Sequence, residues 1–244
     1  MRVIEHKTLA IIPARGGSKG IPRKNLQLLA GAPLVVHAIR VAMGAASIKR
    51  VVVSTDDKEI ATVAGEAGAE VIVRPPMLAD DVTPTMGVLQ HAINTLASEG
   101  WQPELVALLE PTSPFRTSDL VDSCMAKFDD PAVRSVVTVT QLERNPFNIF
   151  VVKGDRAERF LKEPEMSFTQ RQQFRHLKRI NGCVYAARTE LIRAGRLLED
   201  PIRAVEMPSH ESINIDEPFD LEIARFIAKQ YRFFADNPPC GESN

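Results

Sequence analysis

Several features are scarce in this sequence, and each scarcity argues against a class of protein. The 244 residues include only three cysteines, Cys124, Cys183 and Cys240, which are widely spaced and form no Cys-x-x-Cys pair. This usage is typical of free thiols in a reducing cytoplasm rather than of disulfides or a structural zinc. The longest apolar runs fall far short of the roughly 18 residues of a membrane span, and the first residues lack a signal-peptide pattern. We therefore expect a soluble, cytoplasmic protein.

Charge of one sign is also lacking. The formal net charge is only -1, so no overall field would hold the chain on nucleic acid or on an acidic membrane. We expect neither as a partner, and any anion-binding site must be local. The 44% of apolar and 25% of charged residues are ordinary for a globular domain.

Apolar, strand-like runs alternate with segments of helical period. The strand-like runs are residues 8–12, 50–56, 70–74, 105–110, 135–140, 182–187 and 202–208. The helix-like segments include 32–46, one near 84–98, one from Ser118 as the N-cap to Phe128, and one near 217–234. This alternation predicts an α/β fold, a mostly parallel sheet flanked by helices.

The middle of the chain departs from this alternation. Residues 141–180 are polar apart from one short strand at 149–152, which indicates an insertion that lies over a sheet, serves as a lid or forms a subunit contact. We predict a single core domain made of residues 1–140 and 181–235, interrupted by this insertion. Residues 236–244 are expected to be a disordered tail.

The first predicted strand runs into "IIPARGGSKGIPRKNL", a glycine-rich stretch with four cations. It matches neither the Walker A spacing nor Gly-x-Gly-x-x-Gly. Its parts nevertheless suit a polyphosphate: backbone N–H groups of Gly16 and Gly17, the Ser18 hydroxyl, and nearby positive charges. Those charges are Arg15, Lys19, Arg23 and Lys24. The alternative is an ordinary basic surface turn.

This stretch strongly resembles the N-terminal signature of the acylneuraminate cytidylyltransferases, the CMP-sialic acid synthetases and their relatives. Later stretches resemble further blocks of that family in the same order: "VVVSTDDKEIATVAGEAGAEVIVRPPMLADDVTPT", "LLEPTSPFRTSDLV", "NGCVYAARTELI" and "INIDEPFDLEIA". The resemblance implies a Rossmann-like nucleotidyltransferase fold. It also implies transfer of CMP from CTP to the anomeric hydroxyl of a nonulosonic sugar acid, with release of pyrophosphate, for surface polysaccharide synthesis.

The resemblance also implies roles for individual residues. On the nucleotide it places Arg15, Gly16, Gly17, Ser18, Lys19, Lys24, Asn25, Arg74 and Thr85. On the sugar acid it places Glu110, Ser113, Arg171 and Arg179, and the catalytic set would be Arg15, Lys24 and Asp216. Family members bind Mg²⁺ through a C-terminal Asp-x-Asp block, here Asn214 and Asp216, and use their insertion to form a homodimer.

Three positions depart from the sialic acid enzymes. Asn214 replaces the first aspartate of the metal block, Glu110 replaces a common glutamine that faces the sugar, and Asn148 lies where some members have a cation. Two of these changes make the acceptor side less positive. Our hypothesis is an acceptor other than plain N-acetylneuraminate, one that carries an amino group or another nonulosonic side chain.

Other interpretations stay open at this point. Asp216 is also well placed to be a helix N-cap, and Asp56 and Asp57 in "STDD" could bind a metal or begin a helix. Adjacent Asp80 and Asp81 are more typical of capping residues than of a metal pair. The basic cluster at residues 171–179 is interpreted as a contact for a substrate anion or for a second subunit rather than for RNA. Rival functions are a cytidylyltransferase for a Kdo-like amino sugar acid, a sugar phosphate or a phosphonate, and a non-catalytic nucleotide-binding homologue.

Overall fold

The computed structural model describes residues 6–78, 85–144, 146–161, 177–231 and 233–234. Its main feature is a seven-stranded sheet in the order β11-β7-β10-β6-β1-β4-β5. The strands of this sheet are β1 (Thr8–Pro13), β4 (Arg50–Thr55), β5 (Glu70–Val73), β6 (Leu105–Leu108), β7 (Ser135–Gln141), β10 (Lys178–Arg188) and β11 (Ile202–Glu206). Two short strands, β2 (Leu28–Leu29) and β3 (Ala32–Pro33), form a separate hairpin.

Six of the seven strands run in one direction, as the sequence predicts. β1 pairs in parallel with β4 and β6, β4 with β5, and β7 with β11. β10 is the exception, because it pairs antiparallel with both β6 and β7. Its register shifts between Ile180 and Tyr185, so the strand is irregular around Gly182. The sheet is therefore mixed, with one reversed strand near its middle.

Helices cover both faces of the sheet. They are α1 (Leu34–Gly44), α2 (Lys58–Glu66), α3 (Thr85–Ser98), α4 (Ser118–Met125), α5 (Thr189–Arg193) and α6 (Pro218–Gln230). Ala10 and Ile12 of β1 pack in one cluster with α1, α2 and α4, whereas Leu9 and Ile11 pack in a second cluster with α3 and α5. Because both faces are buried, the strands read as continuous apolar runs.

Two predicted helix boundaries are wrong by one residue. The N-cap of α4 is Thr117, whose hydroxyl accepts a hydrogen bond from Leu120 N–H at 3.2 Å, while the Ser118 hydroxyl donates to the Val41 carbonyl. The N-cap of α6 is Glu217, and Asp220 accepts from the N–H groups of both Glu217 and Asp216. Asp216 therefore precedes the cap, which leaves its carboxylate available for other contacts.

A third apolar cluster joins α6 to the rest of the domain. Phe115 is fully buried there with Leu29, Leu34 and Leu221. His37 of α1 is also buried and bonds the Leu29 carbonyl through Nε2 at 2.7 Å, as expected for a packed histidine. This cluster holds the end of the chain against the segment that follows β1.

The described part of the polar middle region forms a hairpin. Its strands β8 (Phe150–Lys153) and β9 (Arg156–Arg159) pair only with each other, and all eight residues are exposed. Only β8 was expected from the sequence. The division into core, insertion and tail stays a prediction, since residues 162–176 and the end of the chain lie outside the described residues. Among the residues described, no helix is long and apolar enough to cross a membrane.

Candidate active site

A cleft of about 280 Å³ opens where several parallel strands end. Pro13 ends β1, Arg74 follows β5 and Glu110 follows β6, and all three side chains line the cleft. Open α/β sheets usually bind their ligands at this edge. The remaining lining residues are Arg15, Gly17, Ser18, Lys24, Asn25, Leu78, Thr85, Val88, Pro111, Thr112, Asn214 and Asp216.

The glycine-rich segment is held by the two aspartates that follow β4. Gly16 N–H donates to Asp56 Oδ1 at 3.0 Å, and a Cβ atom on Gly16 would lie only 2.6 Å from Asp57 Oδ2. Arg23 forms a two-pronged pair with Asp57 and also bonds Glu59. Arg23 therefore anchors the loop to α2, although its sequence position suggested a phosphate ligand.

Asp57 has a second task, since it is the N-cap of α2. Its Oδ1 accepts hydrogen bonds from Glu59 and Ile60 N–H, each at 2.9 Å. Although burial acts to raise its pKa, the net pKa of Asp57 is lowered by the bonds from Ile60 and Arg23. The structure therefore favours the helix-start interpretation of "STDD" over a metal site.

Lys24 connects the segment that follows β1 to the segment that precedes α6. Its Nζ donates to the Ile215 carbonyl and to Asp216 Oδ1, both at 3.0 Å. A Cβ atom on Gly20 would lie 2.5 Å from the Asp216 carbonyl oxygen, so only glycine fits there. Lys24 and Asp216 are consequently held together at one side of the cleft.

Two more predicted nucleotide residues are fixed by backbone contacts. Asn25 is 7% exposed and donates from Nδ2 to the Arg15 carbonyl at 2.9 Å. Arg74, also 7% exposed, donates to the Ser54 carbonyl through Nη2 at 2.7 Å. Burial, followed by the charge of Arg15, lowers the pKa of Arg74, while Asp56 opposes the shift. Arg15 and Arg74 both line the cleft, and a bound anion would reduce the repulsion between their guanidinium groups.

Glu110 is the mostly buried carboxyl group of the cleft. Burial is the main cause that raises its pKa, and Asp216 adds to the shift, while Arg116 and Lys24 act against it. Arg116 lies behind Glu110 and is 1% exposed. Its Nη2 donates to the Glu110 carbonyl and its Nη1 to the Cys183 carbonyl. The cleft therefore has a carboxyl group at one end and cations around it.

Asn214 lies beside Asp216 rather than on its own. Its Nδ2 donates to Asp216 Oδ2 at 2.6 Å, and its Oδ1 accepts from Ser113 Oγ at 3.4 Å. Ser113 is fully buried and also donates to the Gly182 carbonyl at 3.5 Å. Ser113 thus connects three segments beneath the cleft.

Most of the residues predicted to bind ligands meet in this one cleft. Those that line it are Arg15, Gly17, Ser18, Lys24, Asn25, Arg74, Thr85, Glu110, Asn214 and Asp216. Four other predicted residues do not line the cleft. Gly16 and Ser113 lie next to lining residues, and Lys19 is exposed on the glycine-rich loop. Arg179 is exposed on β10, where it pairs with Thr140 of β7. Arg171, Asp80 and Asp81 fall outside the described residues.

Sequence reasoning missed several residues of the site. Leu78 and Val88 add apolar side chains to the lining of the cleft. Arg116 lies behind the lining and donates a hydrogen bond to the Glu110 carbonyl. Arg116 lies within the quoted "LLEPTSPFRTSDLV", but a single arginine in a motif does not reveal that it is buried. Thr112 could have been found, because it lies in the "PTSP" segment that follows β6.

The fold and the cleft together define an α/β protein with a ligand-sized cleft at the ends of its parallel strands. A solved structure of CMP:2-keto-3-deoxy-manno-octonic acid synthetase complexed with CTP matches this fold with a TM-score of 0.70 and 22% identity. The match covers 92% of this chain and 99% of that one. At this identity the likeness concerns the fold alone, and it confirms the expected nucleotidyltransferase architecture.

The sequence comparisons then give the family. Residues 9–192 match the family described as cytidylyltransferase, and the chain belongs to that family. It is 32% identical over 223 residues to the CMP-N,N'-diacetyllegionaminic acid synthase of Legionella pneumophila, covering 88% of this chain and 93% of that protein. It is 29% identical to the N-acylneuraminate cytidylyltransferase of Escherichia coli O18:K1:H7, covering 92% of this chain.

These findings confirm the resemblance, and with it that the protein is a nucleotidyltransferase enzyme. The chain spans 93% of the Legionella relative but only 52% of the Escherichia coli relative.

Proposed function

We propose that the protein transfers CMP from CTP to the anomeric hydroxyl of a nonulosonic sugar acid and releases pyrophosphate. The observation that carries this proposal is the cleft itself, which Arg15, Lys24 and Arg74 line together with Gly17 and Ser18 of the glycine-rich loop. The chain belongs to a family of cytidylyltransferases, which indicates CTP as the nucleotide. The named relatives act on legionaminic and neuraminic acids. Attack on an α-phosphate depends mainly on alignment and charge neutralisation, which such a cleft provides.

In this proposal the triphosphate lies along the loop that follows β1. Arg15 and Lys24 would offset its charge, and the N–H groups and hydroxyl of Gly17 and Ser18 would contact its oxygens. The nucleoside would lie toward Arg74 and Thr85, next to the apolar side chains of Leu78 and Val88. Lys24 would give up part of its contact with Asp216 to the phosphate.

The residues of the cleft fit a Mg²⁺ ion that arrives with the nucleotide. The side chain of Asp216 is 62% exposed, so its carboxylate can reach an ion in the cleft. Within the described residues no three His, Cys, Asp or Glu side chains could hold a metal together. Magnesium needs only one or two carboxylates beside phosphate oxygens and waters. Bound there, it would neutralise phosphate charge; Asp216 would hold it, with Asn214 orienting that carboxylate.

The acceptor end would be marked by Glu110. A carboxyl group there favours an acceptor that presents an N–H, hydroxyl or ammonium donor, in line with a nonulosonic acid other than plain N-acetylneuraminate. Asn148 supplies no positive charge for the acceptor, because its side chain is a neutral amide; it lies exposed in the 3₁₀ turn Pro146–Asn148, which leads to β8. Arg179 does not line the cleft, so the proposal assigns it no contact with the acid.

The direct test measures pyrophosphate release from CTP and Mg²⁺. The acceptors would be N-acetylneuraminate, legionaminate, pseudaminate, Kdn, Kdo and an amino-Kdo analogue, each offered alone. Release with any nonulosonic acid supports the proposal, and the best acceptor tests the hypothesis about Glu110. CTP binding without release for every acceptor would overturn it in favour of a non-catalytic nucleotide-binding protein. Lys24→Met should abolish release, whereas Lys127→Met, on an exposed turn, should not.

We also propose that the protein is a homodimer formed through the hairpin β8–β9. The hairpin and its flanks expose several large apolar side chains: Ile149 52%, Phe150 43%, Val152 65% and Phe160 63%. An exposed apolar patch of this kind marks an interaction surface. Light scattering should give a dimer mass for the natural chain and a monomer mass for Val152→Lys. A dimer in both would refute the hairpin contact.

A further inference from the structure

The most unusual buried group outside the cleft lining is Arg116. It is 1% exposed, and burial is the main cause that lowers its pKa to about 10. Its two terminal nitrogens donate to backbone carbonyls, and its Nε has no partner within the described residues. A buried cation that makes no ion pair and leaves a donor unsatisfied costs stability. An apolar side chain would fill this space at lower cost, so the charge calls for a functional explanation.

The contacts of Arg116 place it directly behind the acceptor end of the cleft. One carbonyl it binds belongs to Glu110, and the other to Cys183, next to the irregularity of β10 at Gly182. Arg116 thereby ties the end of β6 to β10 at the point where Glu110 enters the cleft.

Charge links the same two residues. Glu110 is the one carboxyl group among those acting on Arg116, and it favours the charged guanidinium. In return, Arg116 is the larger of the two cationic influences that favour the ionised Glu110 against burial and Asp216. Each residue thus stabilises the charge of the other, although their side chains are not joined by a hydrogen bond in the structure.

We propose that Arg116 is a positioning residue for acceptor binding: it orients Glu110 through the backbone and supplies the countercharge that lets Glu110 present a carboxylate to the sugar acid. This inference rests on the proposed function, because it assumes that Glu110 faces the acceptor. Arg116 itself touches neither substrate. It should therefore influence the acceptor KM and leave CTP affinity unchanged.

The test is a double-mutant cycle of Arg116→Met and Glu110→Gln, assayed with N,N'-diacetyllegionaminic acid and CTP. Arg116→Met should raise the acceptor KM about tenfold in the natural chain but less than about twofold when Glu110→Gln is already present. CTP affinity, measured by calorimetry, should stay within about twofold throughout. Arg116→Lys should recover part of the acceptor KM because it restores the charge.

Arg188 offers a matched control. It also donates to two backbone carbonyls, those of Val133 and Pro131, but lies away from the cleft. Arg188→Met should lower thermal stability and leave the acceptor KM unchanged. Equal rises in KM for Arg116→Met with and without Glu110→Gln would overturn the proposal, as would a parallel loss of CTP affinity.

A second readout does not need activity. Without Arg116, the buried Glu110 carboxylate lacks its countercharge, so Glu110→Gln should raise the melting temperature more in the Arg116→Met protein than in the natural chain. Equal effects in the two proteins would overturn the proposal even if no acceptor is turned over. If this coupling is found while no acceptor releases pyrophosphate, the proposed function fails and the link between the residues stands. If Arg116→Met does not fold, Arg116→Gln, which keeps a hydrogen-bond donor but carries no charge, takes its place in both cycles.

Discussion

Asp57 performs two separable tasks, and substituting it should show which matters for stability and which for the nucleotide. Its Oδ1 caps α2 through Glu59 and Ile60, while both of its oxygens bind Arg23. Arg23 has a φ of 55°, a left-handed conformation uncommon outside glycine, and it immediately precedes Lys24. Loss of the Arg23 contact should therefore misplace Lys24.

The expected magnitudes follow from these contacts. Asp57→Ala removes the cap, which costs about 1 kcal/mol and lowers the melting temperature by about 2–4 °C for a chain of this size. Asp57→Asn keeps a good capping group, so its stability should be close to that of the natural chain. Both variants lose the ion pair and should bind CTP about fivefold more weakly, because a misplaced cation no longer aligns with the phosphates.

Thermal unfolding and CTP calorimetry at one pH would separate the two tasks. Asp119→Asn is a suitable control, because Asp119 is an exposed carboxylate in the first turn of α4. Equal destabilisation by Asp57→Ala and Asp57→Asn would refute the capping argument. If Asp57→Asn binds CTP as tightly as the natural chain does, the claim that Arg23 holds the glycine-rich loop in place for CTP is refuted.

Two further predictions concern the carboxylate end of the cleft. Because burial and then Asp216 raise the pKa of Glu110, its ionisation costs stability as the pH rises above the ordinary carboxyl range. Glu110→Gln should accordingly raise the melting temperature by about 2 °C at pH 7.5 and have little effect near pH 4. A variant that melts below the natural chain at pH 7.5 would contradict this reasoning. Asn214→Asp places a second carboxylate beside Asp216, so it should lower the melting temperature without divalent ions and strengthen Mg²⁺ binding to the CTP complex about tenfold, measured by calorimetry. Unchanged Mg²⁺ affinity would show that position 214 does not contribute to the metal site.

The parts of the site that follow strand ends could be predicted from the sequence. Arg15 and Lys24 belong to the cation-rich stretch that follows the first apolar run, and the carboxyl ends of parallel strands meet at one edge. The resemblance added Arg74, Glu110 and Asp216, and the structure joins Lys24 to Asp216 by a 3.0 Å bond. Local pattern and motif order were enough for these residues.

Other features depend on contacts between distant segments and could not be predicted. The reversed direction of β10 is one, because an apolar run reads the same whichever way its strand points. The pairing of Arg23 with Asp57 is another, since it joins residues 34 positions apart. Ser113 and Arg116 share a polar motif, yet both are buried, and only tertiary packing decides that.

The contact between Lys24 and Ile215 spans 191 positions of the chain. During synthesis, the glycine-rich loop leaves the ribosome early, long before the segment that receives Lys24 exists. Lys24 therefore cannot take its final position until Ile215 and Asp216 have been translated. An incomplete chain that ends before Ile215 would carry all the cations of the loop and still lack the assembled cleft, so translation itself sets the moment at which the cleft can first form.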